Sequence, residues 1–396
     1  MTSLPRSSFA SRSALVLGSS ALVALLHAGC SSPAGMVGPG TDAGARGDGA
    51  TDGAIGGDAS PDAGTPADAG RDAGSSTPDT GPTSCPPPPT CDATPPDPGA
   101  TQDWRHSVAT TVTVSQGSAQ HRGRDLFLRE SDAQWALAKF AYGLADDDLK
   151  GEDVDLWLLR DCTTWELLGT ATTTYDGDHD TVEGVEDTGG RVYFEIPADR
   201  RLGLGRHRIH YVVRGDHTVA EQYIEVVPDD TRFVVTDVDG TLTTSESVAF
   251  TALLTGTPPD ANPHAAELLQ AYADRGYRIW YLTARPEWLG TTTQDWLALR
   301  GFPAGVVHTT LTFTGGLGSA AQTFKTDELA AHEARFPGSI DYLIGNTDTD
   351  MASFQTTGAP SGHVYSYMFD PGAYGTRVDD YGALVSGAAA LPLVCF

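Results

Sequence analysis

Between residues 31 and 100 the chain contains no Phe, Tyr or Trp, and Gly, Ala, Asp, Pro, Ser and Thr fill most of it, with Asp-Ala-Gly recurring at 42, 62, 68 and 72. Such a stretch cannot bury enough apolar surface to offset the entropy of ordering it, so 31–100 is expected to be a disordered linker. The 13 Phe, 13 Tyr and 7 Trp fall almost entirely within 101–396. At about 150 residues per domain that length holds two folded domains, expected as 101–228 and 229–396. The linker contributes −8 and the first 30 residues +2 to the net charge of −27, which leaves −21 on the folded part. With no Lys/Arg-rich run anywhere, the chain lacks what phosphate-backbone recognition needs, and nucleic-acid binding is excluded.

The first 30 residues read as an export signal. Arg6 and Arg12 precede an apolar stretch from Ala14 to Leu26 that is short and interrupted for a membrane span. His27-Ala28-Gly29-Cys30 then resembles the lipobox of bacterial lipoproteins, apart from His27 in place of an aliphatic residue. The resemblance implies a lipidated Cys30 and a membrane-tethered, exported protein, periplasmic or on the cell surface; an ordinary cleaved signal peptide is the alternative. As a Gly-rich coil the linker would reach roughly 45 Å.

Export would place Cys85, Cys91, Cys162 and Cys395 in an oxidising compartment, where three pairings are open. Fully extended as polyproline, Cys85-Pro-Pro-Pro-Pro-Thr-Cys91 would hold its two Cα atoms roughly 19 Å apart, so a bridge within it needs a sharp bend. No Cys/His spacing marks a zinc site.

Residues 105–228 alternate with the two-residue period of half-buried strands: Val108, Thr110, Val112, Val114; Val192, Phe194, Ile196; Ile209, Tyr211, Val213. Further apolar runs lie at 135–142, 153–159, 165–173 and 220–227. About eight short strands predict an all-β, Ig-like sandwich, with Ala-rich Trp135–Tyr142 open to a helical reading. Asp176, Asp178 and Asp180 have the odd spacing of a calcium loop, but Thr181 stands where its turn wants Gly, and a solvated acidic loop is the competing reading.

From Pro228 strands and helices alternate: strand 232–237, helix 264–275, strand 277–283, helix 292–300, strand 306–308, helix 325–334, strand 342–345. This predicts an α/β domain with a doubly wound parallel sheet, whose ligands bind beyond the carboxyl ends of the strands. There the first strand ends in Asp237-Val-Asp239-Gly-Thr241. Two carboxylates at the tip of a buried strand cost desolvation unless paired or metal-bound, and one can attack phosphorus while the other moves the leaving group's proton. Thr283 ends the next strand, with a helix cap as its alternative role. Lys325, expected in a first helical turn, opposes the helix dipole and hints at an anion. Asn346, Asp348 and Asp350 follow the last strand in a loop whose oxygen donors suit Mg²⁺.

In this order these motifs resemble the haloacid dehalogenase (HAD) superfamily, over about residues 231–370. Within it, Tyr281-Leu-Thr-Ala-Arg285, Phe324-Lys325 and Gly345-Asn346-x-x-x-Asp350 are similar to the lipin-type phosphatidate phosphatase domain, also found in phosphatidylinositol-transfer proteins of the Nir group. The resemblance implies a phosphomonoester hydrolase working through an aspartyl-phosphate. Asp237 is then the nucleophile and Asp239 the general acid and base; Mg²⁺ lies on Asp237, the Asp239 carbonyl and Asp350, with Asn346 and Asp348 nearby. Thr241 orients the loop, and Thr283 and Lys325 bind phosphoryl oxygens. The spacings from Asp239 to Thr283 and from Thr283 to Lys325 leave no room for an independent cap, so an open site for a bulky or membrane-presented ester such as phosphatidate is expected. Two alternatives remain. Nir-group proteins resemble this domain yet bind phosphatidate without hydrolysing it, their catalytic carboxylates being degraded, whereas Asp237 and Asp239 are both present here. The other alternative is a surface adhesion or carbohydrate-binding protein acting through its sandwich.

Overall fold

In the computed structural model, residues 83–244 and 258–396 are described. The export signal, Cys30 and most of the linker lie outside them. Alternation governs the first half. Along Asp153–Arg160 (β6), Val154, Leu156 and Leu158 point inward while Asp155 and Trp157 are half-exposed. With Leu126–Leu128 (β2), Thr164–Thr172 (β7), Gly205–Val213 (β9) and Val219–Val226 (β10), β6 forms a sheet of order β2-β10-β9-β6-β7. A smaller sheet of Arg122–Gly123 (β1), Trp135–Lys139 (β3) and Arg191–Glu195 (β8) contributes Ala136, Ala138 and Val192 to the same core. Ala141–Tyr142 (β4) pairs with Asp147–Asp148 (β5). The Ala-rich run at 135–142 is therefore strand. Four of the five β3 residues are buried, and a strand covered on both faces has no alternation to display.

One expected strand is a helix, Ser107–Val114 (α1). Its β-branched residues favour strand in isolation, but a buried acid reverses the preference. Glu152 accepts from the backbone N–H groups of Arg105 and His106 at 2.9 Å each and from the Thr110 hydroxyl at 2.5 Å, anchoring the chain at the helix start. The Asp176–Asp180 loop is held by protein partners: Lys150 ion-pairs with Asp176 at 2.5 Å, and Asp178 accepts from the Tyr175 N–H. Among the described residues no group of three or more His, Cys, Asp or Glu side chains is placed to hold a metal ion.

The second half is a sheet of order β13-β12-β11-β14-β15-β16, every neighbour parallel, built from Phe233–Thr236 (β11), Arg278–Leu282 (β12), Val306–His308 (β13), Ile340–Gly345 (β14), Val364–Tyr367 (β15) and Thr376–Val378 (β16). Val234 and Ile279 join the core under helices Ala265–Ala273 (α2) and Gly382–Ala389 (α6); Phe233, Val235 and Trp280 join the opposite core under Ser319–Arg335 (α4) and Asp348–Gln355 (α5). Gly290–Leu299 (α3) leads toward β13. The chain leaves β11 toward β12 and β13 and later returns to β14 on β11's other side, so the topological switch point lies at the end of β11. Among the described residues neither connection forms a separate cap domain.

The two halves share a buried, charged interface. Glu287 accepts from Arg191 at 2.8 Å and Arg122 at 3.0 Å, and Arg122 also pairs with Asp146. Glu328 on α4 meets Arg124 at 2.5 Å and His308 at 2.6 Å. Burial alone would push both glutamates up; the facing cations outweigh it and hold each at about 2. Phe127 of the sandwich packs edge-on against Phe233, ring centroids 5.0 Å apart. Disulfides join Cys85 to Cys395 and Cys91 to Cys162, so the proline segment straps the C-terminus of the second half to the β6–β7 turn of the first.

Candidate functional site

Asp237 leaves β11 with its N–H donating to the Ile344 carbonyl at 2.9 Å, which fixes the strand tip against β14. Gly240 takes φ 73° and turns the loop so that Thr241 points back; its hydroxyl lies 2.9 Å from both Asp237 Oδ2 and Asn346 Oδ1, serving one acceptor at a time. Asn262 Nδ2 donates to the carbonyls of Thr241 (2.8 Å) and Thr243 (3.0 Å), and the Tyr381 hydroxyl donates to the Thr241 carbonyl at 2.9 Å. The loop is thus braced from outside the motif.

At the carboxyl edge of the sheet Lys325 donates to Asp237 Oδ1 at 2.6 Å and Asp350 Oδ1 at 2.5 Å. The lysine is the seventh residue of α4, which starts six residues earlier than expected, so the first-turn dipole argument does not apply to it. Asp350, expected in a loop, is in the first turn of α5. Its Oδ2 accepts from the N–H groups of Asn346 and Thr347 (3.1 Å each) and the Thr347 hydroxyl (2.8 Å), forming a capping box. A Cβ on Gly345 would stand 2.6 Å from that of Asp350, which is why a glycine ends β14.

These contacts set the charges. Burial would raise Asp350, but Lys325 and the loop donors hold it below the ordinary carboxylate range. Asp237 shares the same lysine with fewer donors. Burial pushes it up to about 7, against the pull of Lys325 and with the help of the negative charges on Asp350 and Asp239. Lys325, despite its burial, is raised by the two carboxylates.

Asp239 stands at the rim, its side chain 26% exposed against 6% for Asp237. Arg285 grips it with two bonds, Nε to Oδ2 at 2.9 Å and Nη2 to Oδ1 at 2.8 Å, while Thr283 Oγ1 donates to Oδ2 at 3.2 Å and accepts the Arg285 N–H at 3.3 Å. The Arg285 fork is braced in turn by Thr293 at 2.8 Å. The structure therefore brings Asp237, Thr241, Lys325, Asn346 and Asp350 into one cluster and Asp239, Thr283 and Arg285 into a second beside it. Asp348 is not in either: it is exposed, accepting from the Thr349 N–H. Sequence reasoning missed the roles of Arg285, Asn262 and Tyr381. Only Arg285 carried a signal, two residues past a strand end.

Residues 234–367 match the family model for the LNS2 domain of PITM 1-3, a HAD-like domain, and residues 119–226 match the PITM 1-3 beta-sandwich domain. Human membrane-associated phosphatidylinositol transfer protein 2 is 34% identical over 207 residues, covering 52% of this chain and 14% of that protein. Protein retinal degeneration B of Drosophila melanogaster is 32% identical over 232 residues (58% and 17%), and human membrane-associated phosphatidylinositol transfer protein 3 is 31% identical over 211 (52% and 19%). The chain spans less than a fifth of the length of each of these relatives. They are animal proteins and lend no support to the bacterial lipoprotein resemblance of residues 14–30. Among solved structures, one of titin kinase and its flanking domains aligns at 6% identity over 29% of this chain and 22% of its own, with a TM-score of 0.16, too low to bear on the fold. In tandem, then, the chain carries a β-sandwich and an LNS2-type HAD-like domain similar to those of membrane-associated phosphatidylinositol transfer proteins.

Proposed function

We propose that the HAD-like domain binds the phosphomonoester headgroup of a phospholipid, of the phosphatidate class, in the cleft between Asp237, Thr283 and Lys325. The relatives' names, as membrane-associated phosphatidylinositol transfer proteins, support a lipid ligand. The observation that carries the reading is Lys325: a buried ammonium bonded to Asp237, whose other oxygen meets the Thr241 hydroxyl, is a cation kept where a phosphoryl group would sit. Three carboxylates face two cations here, so a dianionic phosphate enters against a negative field. For Mg²⁺ the donor chemistry fits: Asp237, Asp350 and the Asn346 side-chain oxygen are hard ligands, and the ion would supply neutralisation of the phosphoryl oxygens.

A second reading, hydrolysis, is favoured by the presence of both Asp237 and Asp239. An Asp237 oxygen would form a bond to phosphorus as the ester P–O bond breaks, Asp239 giving its proton to the leaving alkoxide; water would then bond to phosphorus as the Asp237–phosphorus bond breaks, Asp239 taking the water's proton and inorganic phosphate leaving. As placed, both Asp239 oxygens accept from Arg285, so proton donation requires that fork to open. This is why binding is the first reading and turnover the second. We further read the chain as exported, which two disulfides support.

The test is flotation of the full chain with phosphatidylcholine vesicles with and without phosphatidate, in Mg²⁺ or EDTA, alongside phosphate release. Binding that needs phosphatidate and Mg²⁺ and is lost in Lys325→Met is expected. Phosphate release abolished by Asp237→Asn with binding retained would establish turnover; equal binding to vesicles lacking phosphatidate would defeat the headgroup reading.

A further inference from the structure

The segment after β13, residues 309–318, leaves the sheet at the same carboxyl edge as Asp237, Asp239 and Thr283. Thr310 donates its N–H and its hydroxyl to the Arg285 carbonyl, each at 3.0 Å, and the Gly316 N–H donates to the Ala284 carbonyl at 2.9 Å. The Thr312 carbonyl accepts from the Glu287 N–H at 3.1 Å, and Leu311 packs against the sandwich core. The loop is therefore tied to the residue that grips Asp239 and to the sandwich at once. Yet at its crest Leu317 is 90% exposed and Phe313 43%, and Trp288 lies alongside, its indole N–H donating to the Phe313 carbonyl at 2.9 Å. Leu144, 89% exposed, caps the β4–β5 turn, which Asp146 and Arg122 connect to Glu287.

Trp288 and Phe313 lie with ring centroids 6.4 Å apart and Leu317 follows four residues on, so large apolar side chains are grouped on one loop rather than exposed singly. Three observations point to a bilayer. The loop is bonded to Ala284 and to Arg285, which grips Asp239, so its apolar side chains stand on the same edge of the sheet as the proposed phosphate site. One Trp and one Phe beside an exposed Leu are residue types that settle at the headgroup–acyl boundary. The chain's net charge of −27 gives no long-range attraction to an anionic membrane, so attachment must come from apolar contact. We propose that residues 311–318 are the membrane-docking edge of the domain, Phe313 and Leu317 entering the interfacial layer and presenting the cleft to a headgroup in the same leaflet. This rests on the lipid reading of the cleft.

The test uses the full chain and its Phe313→Asp/Leu317→Asp variant, with Leu317→Asp alone as the variant whose exposed site poses no threat to folding. Partition onto phosphatidylcholine vesicles containing phosphatidate is measured beside binding of soluble dihexanoyl phosphatidate. Vesicle partition is expected to fall about tenfold or more in the double variant and less in the single one, and to change little with salt in the unmodified chain, while dihexanoyl phosphatidate binds all three equally. Unchanged vesicle partition in the double variant overturns the proposal, as does a chain that binds dihexanoyl phosphatidate but no vesicle. Lipid-free self-association abolished by the double variant, without vesicle binding, overturns it in favour of a second copy. Partition that needs Phe313 and Leu317 but not phosphatidate leaves the docking edge standing and removes the headgroup reading of the cleft.

Discussion

Two of the places where the molecule buries charge are built differently. At the interface between sandwich and sheet Glu287 is matched by Arg122 and Arg191, and Glu328 by Arg124 and His308, while Asp125 meets only neutral donors there and burial pushes it up to about 6. At the cleft Lys325 serves two carboxylates and Arg285 a third, so acid exceeds base. The matched cluster holds its glutamates at about 2, while the unmatched one pushes Asp237 up to about 7. A buried ion cluster that balances holds parts together; one with more acid than base keeps a carboxyl far from its ordinary titration range, a perturbation that clusters at functional sites in general.

The comparison breaks most visibly at the interface. Glu287→Ala strands the buried Arg191 guanidinium and leaves Arg122 with Asp146 alone, and is expected to cost about 3–5 kcal/mol in urea unfolding, with phosphatidate binding retained by the fraction still folded. Acid attacks the same cluster. Glu287 and Glu328 have folded values below their ordinary 4.5, so their contribution is present above about 4.5 and lost as pH falls toward 2. Each would surrender on the order of 3 kcal/mol over that window, visible as a falling melting temperature that Glu328→Gln makes shallower.

The cleft should respond with the opposite sign. Asp237 is raised, so its contribution is greatest below 3.8 and is lost as pH rises through about 7. Asp237→Asn is expected to stabilise the fold by about 1–2 kcal/mol at pH 8, and to flatten the decline between pH 3.8 and about 7, while removing any turnover. Destabilisation instead would mean the cleft is matched like the interface. The smallest effect is assigned to Asp348→Asn, exposed and outside both clusters: a change within about 0.5 kcal/mol and no loss of vesicle binding.

How much of this was legible in sequence follows the range of the interactions. The order of strands and helices from 232 to 345 was readable because each buried strand shows its own apolar run, and Asp237, Asp239, Thr283 and Lys325 because each follows a local motif. Helix α1 was not, since Glu152, some 40 residues away, decides it. Lys325's place in α4 was misjudged because the helix begins at Ser319, among small residues that carry no start signal. Arg285's grip on Asp239, the Asn262 brace and the charged interface arise between segments that only the fold brings together. So do the disulfides, whose four cysteines allowed three pairings until the strap was seen to reach both halves.

That strap also closes a ring. With Cys85 joined to Cys395, the backbone from 85 to 395 is a covalent circle, and the second bridge subdivides it. A protease that nicks any single peptide bond between 163 and 394 would leave one covalent molecule, migrating as two pieces only after thiol treatment. The protein should thus outlast a first cut in an oxidising milieu and come apart at the same cut in a reducing one.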